Sequence, residues 1–168
     1  MRTHLLLVAV VMTLAAPGRA AGPAAGGVDA AAAFDRLKTL AGEWQSQDGK
    51  ARLTYELTAG GTALVERETG ESMPAMLTVY HVDRNRLLLT HYCMAGNQPR
   101  MQARSFDPAT GELQFEFVDA TNLPDPRAGH MRSARLRLVD DTHLATEWQF
   151  YENGQRKFNE TTTYTRVR

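Results

Sequence analysis

One cysteine, Cys93, in 168 residues excludes an intrachain disulfide, so the fold must be held by its core rather than by covalent staples. Charge of one sign is not in excess, because 19 Lys and Arg balance 19 Asp and Glu. Without a net field, neither nucleic acid nor an anionic membrane is expected as a partner. Past residue 16 no apolar run approaches the ~20 residues that a membrane helix needs, so no stable membrane anchor is expected. After residue 42 the chain also lacks helical patterning, which removes the crossovers that a parallel sheet requires.

What the chain does have begins with a leader. Arg2 and His4 precede an apolar run over residues 5–16, and small residues around Gly18-Arg19-Ala20 have the form of a signal peptidase site. The expected organisation is a signal peptide over 1–20, a flexible Ala/Gly/Pro linker over 21–28, and one β-barrel domain over 29–168, exported to the periplasm or secreted. From Asp29, a suitable N-cap, the stretch AAAFDRLKTLAG puts Phe34, Leu37 and Leu40 on one helical face and stops at Gly42.

Beyond Gly42, strand patterning alternates with turn chemistry at Asp48-Gly49, Gly60-Gly61, Asp83-Arg84-Asn85, residues 107–111, Asp140-Asp141 and Asn153-Gly154. With two longer connections this gives about ten strands. Serial hairpins that must dispose of their edges close on themselves, so the expected fold is all-β: a single closed, antiparallel, up-and-down barrel with a short N-terminal helix.

Tight turns also set the register. The Asp48-Gly49 hairpin pairs Trp44 with Leu53 and turns Tyr55 and Leu57 inward. Around 107–111 the inward face reads Met101, Ala103, Ser105, Leu113, Phe115 and Phe117. An Arg84-Asn85 turn groups Met76, Thr78, Tyr80, Val82, Leu87, Leu89, His91 and Cys93 inside; the opposite face, with Leu77, Val79, Leu88 and Tyr92, is also apolar and could pack on the helix or on a second subunit. Pairing across Asn153-Gly154 sets Asn159, Thr161 and Thr163 inward beside Leu144, Trp148 and Phe150. Arg132 reads either as an inward cation in need of an anionic partner or as an arginine snorkelling at the rim.

Gly42-Glu43-Trp44, directly after a helix and opening the first strand, resembles the Gly-x-Trp signature of lipocalins and related calycin barrels. The basic end Tyr164-Thr165-Arg166-Val167-Arg168 resembles the place where lipocalins set an arginine over that tryptophan. The resemblance is to small exported bacterial lipocalin-like families of uncharacterised function and, more distantly, to nitrobindin-like haem barrels. It implies that Trp44 seals the closed end with Arg166 or Arg168 against it, for which cation–π attraction supplies a reason. Nitrobindin-like barrels hold haem through a histidine late in the chain, and none follows His143 here, so no cofactor is expected.

In a meander the connections alternate between the two ends, which gathers residues 70–74, 94–99 and 119–130 at one mouth. Mouths of barrels are recurrent ligand sites. His91 and Cys93 share Tyr80's face and lead into Met94-Ala-Gly-Asn-Gln-Pro-Arg100. The candidate ligand-binding set is Tyr80, His91, Cys93, Asn97, Gln98, Arg100, Met101, Phe117, Asn122, Trp148 and Asn159. The competing reading makes His91 a core histidine bonded to a neighbour such as Tyr80, and the aromatics ordinary core. Nothing in sequence activates Cys93 as a nucleophile. His81 and His91 fall on opposite faces and no other spacing forms a zinc set, so no metal is expected.

Three functional classes follow. The first is a carrier or sensor of a small apolar or amphipathic ligand, monomeric or homodimeric. The second is a calycin-type enzyme moving protons through His91 and Tyr80. The third is an interaction module with a packed interior that uses the apolar outer strip.

Overall fold

The computed structural model describes residues 27–167. The expected signal peptide, most of the linker and Arg168 lie outside the described residues. A helix, α1 (Ala30–Lys38), feeds ten strands: β1 (Gly42–Ser46), β2 (Ala51–Thr58), β3 (Ala63–Gly70), β4 (Met73–Asp83), β5 (Arg86–Tyr92), β6 (Gln98–Asp107), β7 (Glu112–Thr121), β8 (His130–Leu138), β9 (His143–Glu152) and β10 (Gln155–Arg166). All neighbours are antiparallel and consecutive, and β10 pairs back onto β1 to close the barrel. No helix among the described residues is long and apolar enough to cross a membrane.

Asp29 caps α1 by accepting from Ala32 N at 3.0 Å. The helix buries Ala30, Ala33, Phe34 and Leu37, followed by Leu40, against the core. Its polar side is tied to the strands where Arg36 donates to Leu138 O at 3.3 Å. The helix thus stoppers the end carrying the turns at Arg84-Asn85, 107–111 and Asp140-Asp141. Gly42 opens β1 at φ 128°, a conformation that side chains disfavour, and this swings the chain from helix into strand. Trp44 follows, fully buried, donating its indole N–H to Leu40 O at 2.8 Å. Arg166 lies over its ring. The closed barrel, its helix and this pair are consistent with a calycin-like fold.

The expected registers hold where the ladders are regular. Trp44 pairs with Leu53, and Met76, Thr78, Tyr80, Leu87, Leu89, His91 and Cys93 face inward and are buried. They fail where a bulge intervenes, because one extra residue flips every side chain beyond it. The Asn153-Gly154 turn pairs Arg156 with Tyr151, but Lys157 bulges out and Phe158 pairs with Phe150. Thr162 and Tyr164 therefore turn inward with Glu160, opposite Thr146, Leu144 and Trp148, and Asn159, Thr161 and Thr163 face away. A bulge at Arg104 exposes Ser105 and places Phe106 against the core instead. A third, at Arg132, buries Met131 and leaves Arg132 exposed over the rings of Phe117 and Tyr151, at 5.8 and 5.6 Å. Leu57 is 39% exposed, because β2 runs on past Gly42, the first residue of β1 in its ladder, and nothing covers its end. The outer strip of β4 and β5 is not covered by α1: Leu77, Val79 and Leu88 are half-buried and Tyr92 is exposed.

Candidate functional site

The half of the barrel nearest α1 is filled by Leu64, Leu87, Leu89, Leu113, Phe115, Leu136 and Leu144, all fully buried. Toward the other end the interior becomes polar. Strand β3 alternates Leu64, Glu66 and Glu68 onto the inner face, and Glu66 is buried among hydroxyls. Tyr80 donates to Glu66 Oε2 at 2.7 Å, and Thr78 donates to Glu66 Oε1 at 3.4 Å. Thr78 Oγ1 also lies 3.0 Å from His91 Nδ1. Tyr164 donates to Glu68 Oε1 at 3.4 Å. The hydroxyl of Tyr55, buried beside Glu66, has no hydrogen-bond partner among the described residues.

Burial dominates the electrostatics, since a charge loses its water there. It raises the carboxyl of Glu66, against the opposing pull of the hydroxyls of Tyr80 and Thr78, which donate to it. Glu68 is pushed up to about 7, by burial first and then by the charges of Glu66 and Glu160. Burial lowers His91 to about 4, so its imidazole is neutral at pH 7. The tyrosines Tyr55, Tyr80 and Tyr164 rise, again by burial and by the neighbouring glutamates.

The hydrogen bonds tie the histidine tautomer to the protonation of Glu66. When Glu66 is ionised, the single proton of Thr78 goes to Glu66, so the Thr78 oxygen accepts from His91 Nδ1–H. Nε2 is then a bare acceptor, and it is buried without a partner among the described residues. Protonating Glu66 on Oε1 reverses the chain: Glu66 donates to Thr78, Thr78 donates to Nδ1, and Nε2 carries the hydrogen. The His91 ring also lies against Trp148, centroids 4.8 Å apart.

His91 and Trp148 line a cavity of about 10 Å³ together with Glu68, Met76, Met131, Thr146, Glu160, Thr162 and Tyr164. That is room for one water molecule or one small head group. Its opening follows from strand lengths. Strand β1 is five residues long and β10 twelve, and their ladder covers only 164–166 of β10. Above the Asp48-Gly49 turn the wall therefore gapes between β3–β4 and β10. The exposed or half-buried lining residues, Glu68, Glu160 and Thr162, stand on the two sides of that gap.

The candidate residues read from sequence divide accordingly. Tyr80, His91 and Trp148 come together, with Tyr80 bonded to Glu66 and linked to His91 only through Thr78. Met101 is fully buried core. Cys93 is buried at the end of β5, its thiol raised by that burial, with Ala95 N donating to Sγ at 3.5 Å. Asn97 is buried and donates to Gly129 O at 2.8 Å, stitching the 93–97 turn to the 122–129 loop. Phe117 is half-buried and lies against His130, centroids 4.6 Å apart and rings tilted at 44°. Four candidates lie on the outer surface. Gln98 accepts from Thr121 at 2.7 Å, Arg100 pairs with Asp119, Asn122 donates to Gly96 O, and Asn159 is exposed by the Lys157 bulge. Hydrogen bonds of Asn97, Gln98 and Asn122 tie the turn over 94–99 to the end of β7 and the 122–129 loop.

Glu66, Glu68, Glu160, Thr162 and Tyr164 are absent from the sequence-read set. The first two have a signal: extending the hairpin across Gly60-Gly61 pairs Glu66 with Tyr55, which the Asp48-Gly49 register turns inward. The β10 residues had none, because the Lys157 bulge leaves no mark in composition. No protein-family model matches the chain, and no curated protein matches it.

Proposed function

We propose that this is an exported lipocalin-like barrel that carries or senses a small amphipathic ligand, held by a polar group seated in the upper interior. The observation that carries the reading is His91 Nε2, buried without a partner in a side chain that lines the cavity. A buried polar atom without a partner costs about 1–3 kcal/mol, a cost that a ligand can relieve. Supporting it are the apolar flanks Met76, Met131 and Trp148, the first two flexible enough to move aside for a tail. The leader motif supports export, and the helix-fed Gly42-Glu43-Trp44 with Arg166 supports the lipocalin-like assignment.

Native mass spectrometry of protein purified from its own host tests the reading. The expected result is a retained small molecule on a chain that begins near Ala21, released or weakened about 5- to 100-fold in folded His91→Ala. A chain without ligand that keeps Met1 overturns it. A second reading has one observation in its favour: a cavity of about 10 Å³ cannot enclose a whole ligand, while the strip Leu77, Val79, Leu88 and Tyr92 stands uncovered. An interaction module would appear in the same spectrum as a homodimer without ligand.

A further inference from the structure

Glu66 and Glu68 face one interior with Glu160 at its rim, and no described Lys or Arg pairs with any of them. The groups facing Glu68 are Glu66 on its own strand and, on β10, Glu160 and Tyr164. His91 on β5 completes the titratable lining of the cavity and is neutral. A cavity lined by carboxylates without a counter-cation favours a cationic guest.

We propose that the cavity takes the –NH3+ group of a primary alkylammonium ligand, with its alkyl tail leaving past Met76, Met131 and Trp148 through the gap between β3–β4 and β10. The inference rests on the ligand-binding reading above and specifies its chemistry. An ammonium head is about the size of the one water that the cavity can hold. It has three donors, and the lining offers acceptors in Glu68 and the unpartnered Nε2 of His91, with Glu160 at the rim. The indole of Trp148 and the phenol of Tyr164 add π faces that attract a cation. Other head groups fit worse. A carboxylate meets like charge. A quaternary ammonium is larger than the space and has no hydrogen to donate. Among the described residues no three His, Cys, Asp or Glu converge closely enough to hold a metal ion.

The site also couples binding to protons. Seating the cation requires ionised Glu68, so binding near pH 6 releases a proton and affinity falls as pH drops below about 7. Protonation of Glu66 works in the same direction, since it places a hydrogen on Nε2.

The experiment titrates n-hexylammonium, hexan-1-ol, hexanoate and hexyltrimethylammonium into the protein at pH 6 and pH 8, by calorimetry and by tryptophan fluorescence. The expected result is that n-hexylammonium binds at least tenfold more tightly than the other three, and about tenfold more tightly at pH 8 than at pH 6. Calorimetry in buffers of different ionisation enthalpy should show proton release at pH 6. Glu68→Gln, close in shape and freed of a buried charge, should remove the preference and most of the pH dependence; Glu160→Gln at the rim should weaken binding several-fold, and Arg104→Ala on the outer wall should change nothing. Equal or tighter binding of hexan-1-ol or hexanoate overturns the amine head but leaves the ligand-binding reading in place. Absence of n-hexylammonium binding at millimolar concentration overturns the proposal, while a host-derived ligand in the native spectrum would still uphold that broader reading.

Discussion

The guanidinium of Arg166 sits 4.2 Å over the ring of Trp44 and donates to Ala41 O, Thr39 O and Asp141 O at 2.8, 2.6 and 2.7 Å. One side chain thereby ties the last strand to the helix end, the first strand and the β8–β9 turn. Trp44→Ala removes the plug and should destabilise by about 3–5 kcal/mol, read from urea denaturation midpoints. Arg166→Ala should cost about 1–3 kcal/mol, and a double-mutant cycle should return a coupling of about 0.5–2 kcal/mol. A coupling of zero would mean that the stacking contributes nothing.

His91 and Glu68 make opposite contributions to stability against pH. The folded value of His91 is about 4 against 6.5 for the free side chain, so between these the unfolded chain binds more protons and stability falls as pH falls. The folded value of Glu68 is about 7 against 4.5, so its contribution is full below pH 4.5 and is lost as pH rises through about 7. The exposed aspartates Asp48, Asp107, Asp119 and Asp140 are held below 3.8 by hydrogen bonds and act at lower pH. Between pH 4.5 and 6.5, Glu68→Gln should therefore lose stability on acidification relative to wild type, and His91→Gln should gain it. Urea midpoints measured at both pH values check the two signs.

Deleting Lys157 should be tolerated. The deletion brings Phe158 opposite Phe150 without a bulge and keeps Glu160 opposite Trp148. The expected change is within about 1 kcal/mol, with the near-ultraviolet circular dichroism of Trp148 preserved. Deleting Thr161 instead shifts Thr162 and Tyr164 out of the interior and should cost the fold. Equal damage from the two deletions would refute the register.

Gly129 has no room for a side chain: a Cβ there would lie 2.6 Å from Phe150 Cζ. Gly129→Ala should cost about 1–3 kcal/mol through overpacking. Asn97→Ala, which cuts the bond from Nδ2 to Gly129 O, should cost about 1–2 kcal/mol. Because both changes act on one loop junction, the double variant should be less destabilised than their sum. Hydrogen exchange of the 93–97 and 122–129 backbone would show the junction opening in either single variant.

The sequence by itself determined the barrel. Turn residues at regular spacing, the helix capped at Asp29 and ended before Gly42, and the alternation of Trp44, Leu53 and Tyr55 or of Tyr80, Leu89 and His91 are local signals, written in neighbouring residues and two-residue periods. The candidate site was only half legible for the same reason. His91, Tyr80 and Trp148 lie on uninterrupted ladders and were placed inside; Asn159 and Ser105 were misplaced because the bulges at Lys157 and Arg104 each insert a residue that no local pattern announces. Only the tertiary structure decided that Glu160, from the last hairpin, faces Glu68, from the second, across the gap left by a short first strand. Those residues are far apart in the chain, and their meeting depends on how ten registers add up around a closed ring, a sum in which one bulged residue exchanges inside for outside.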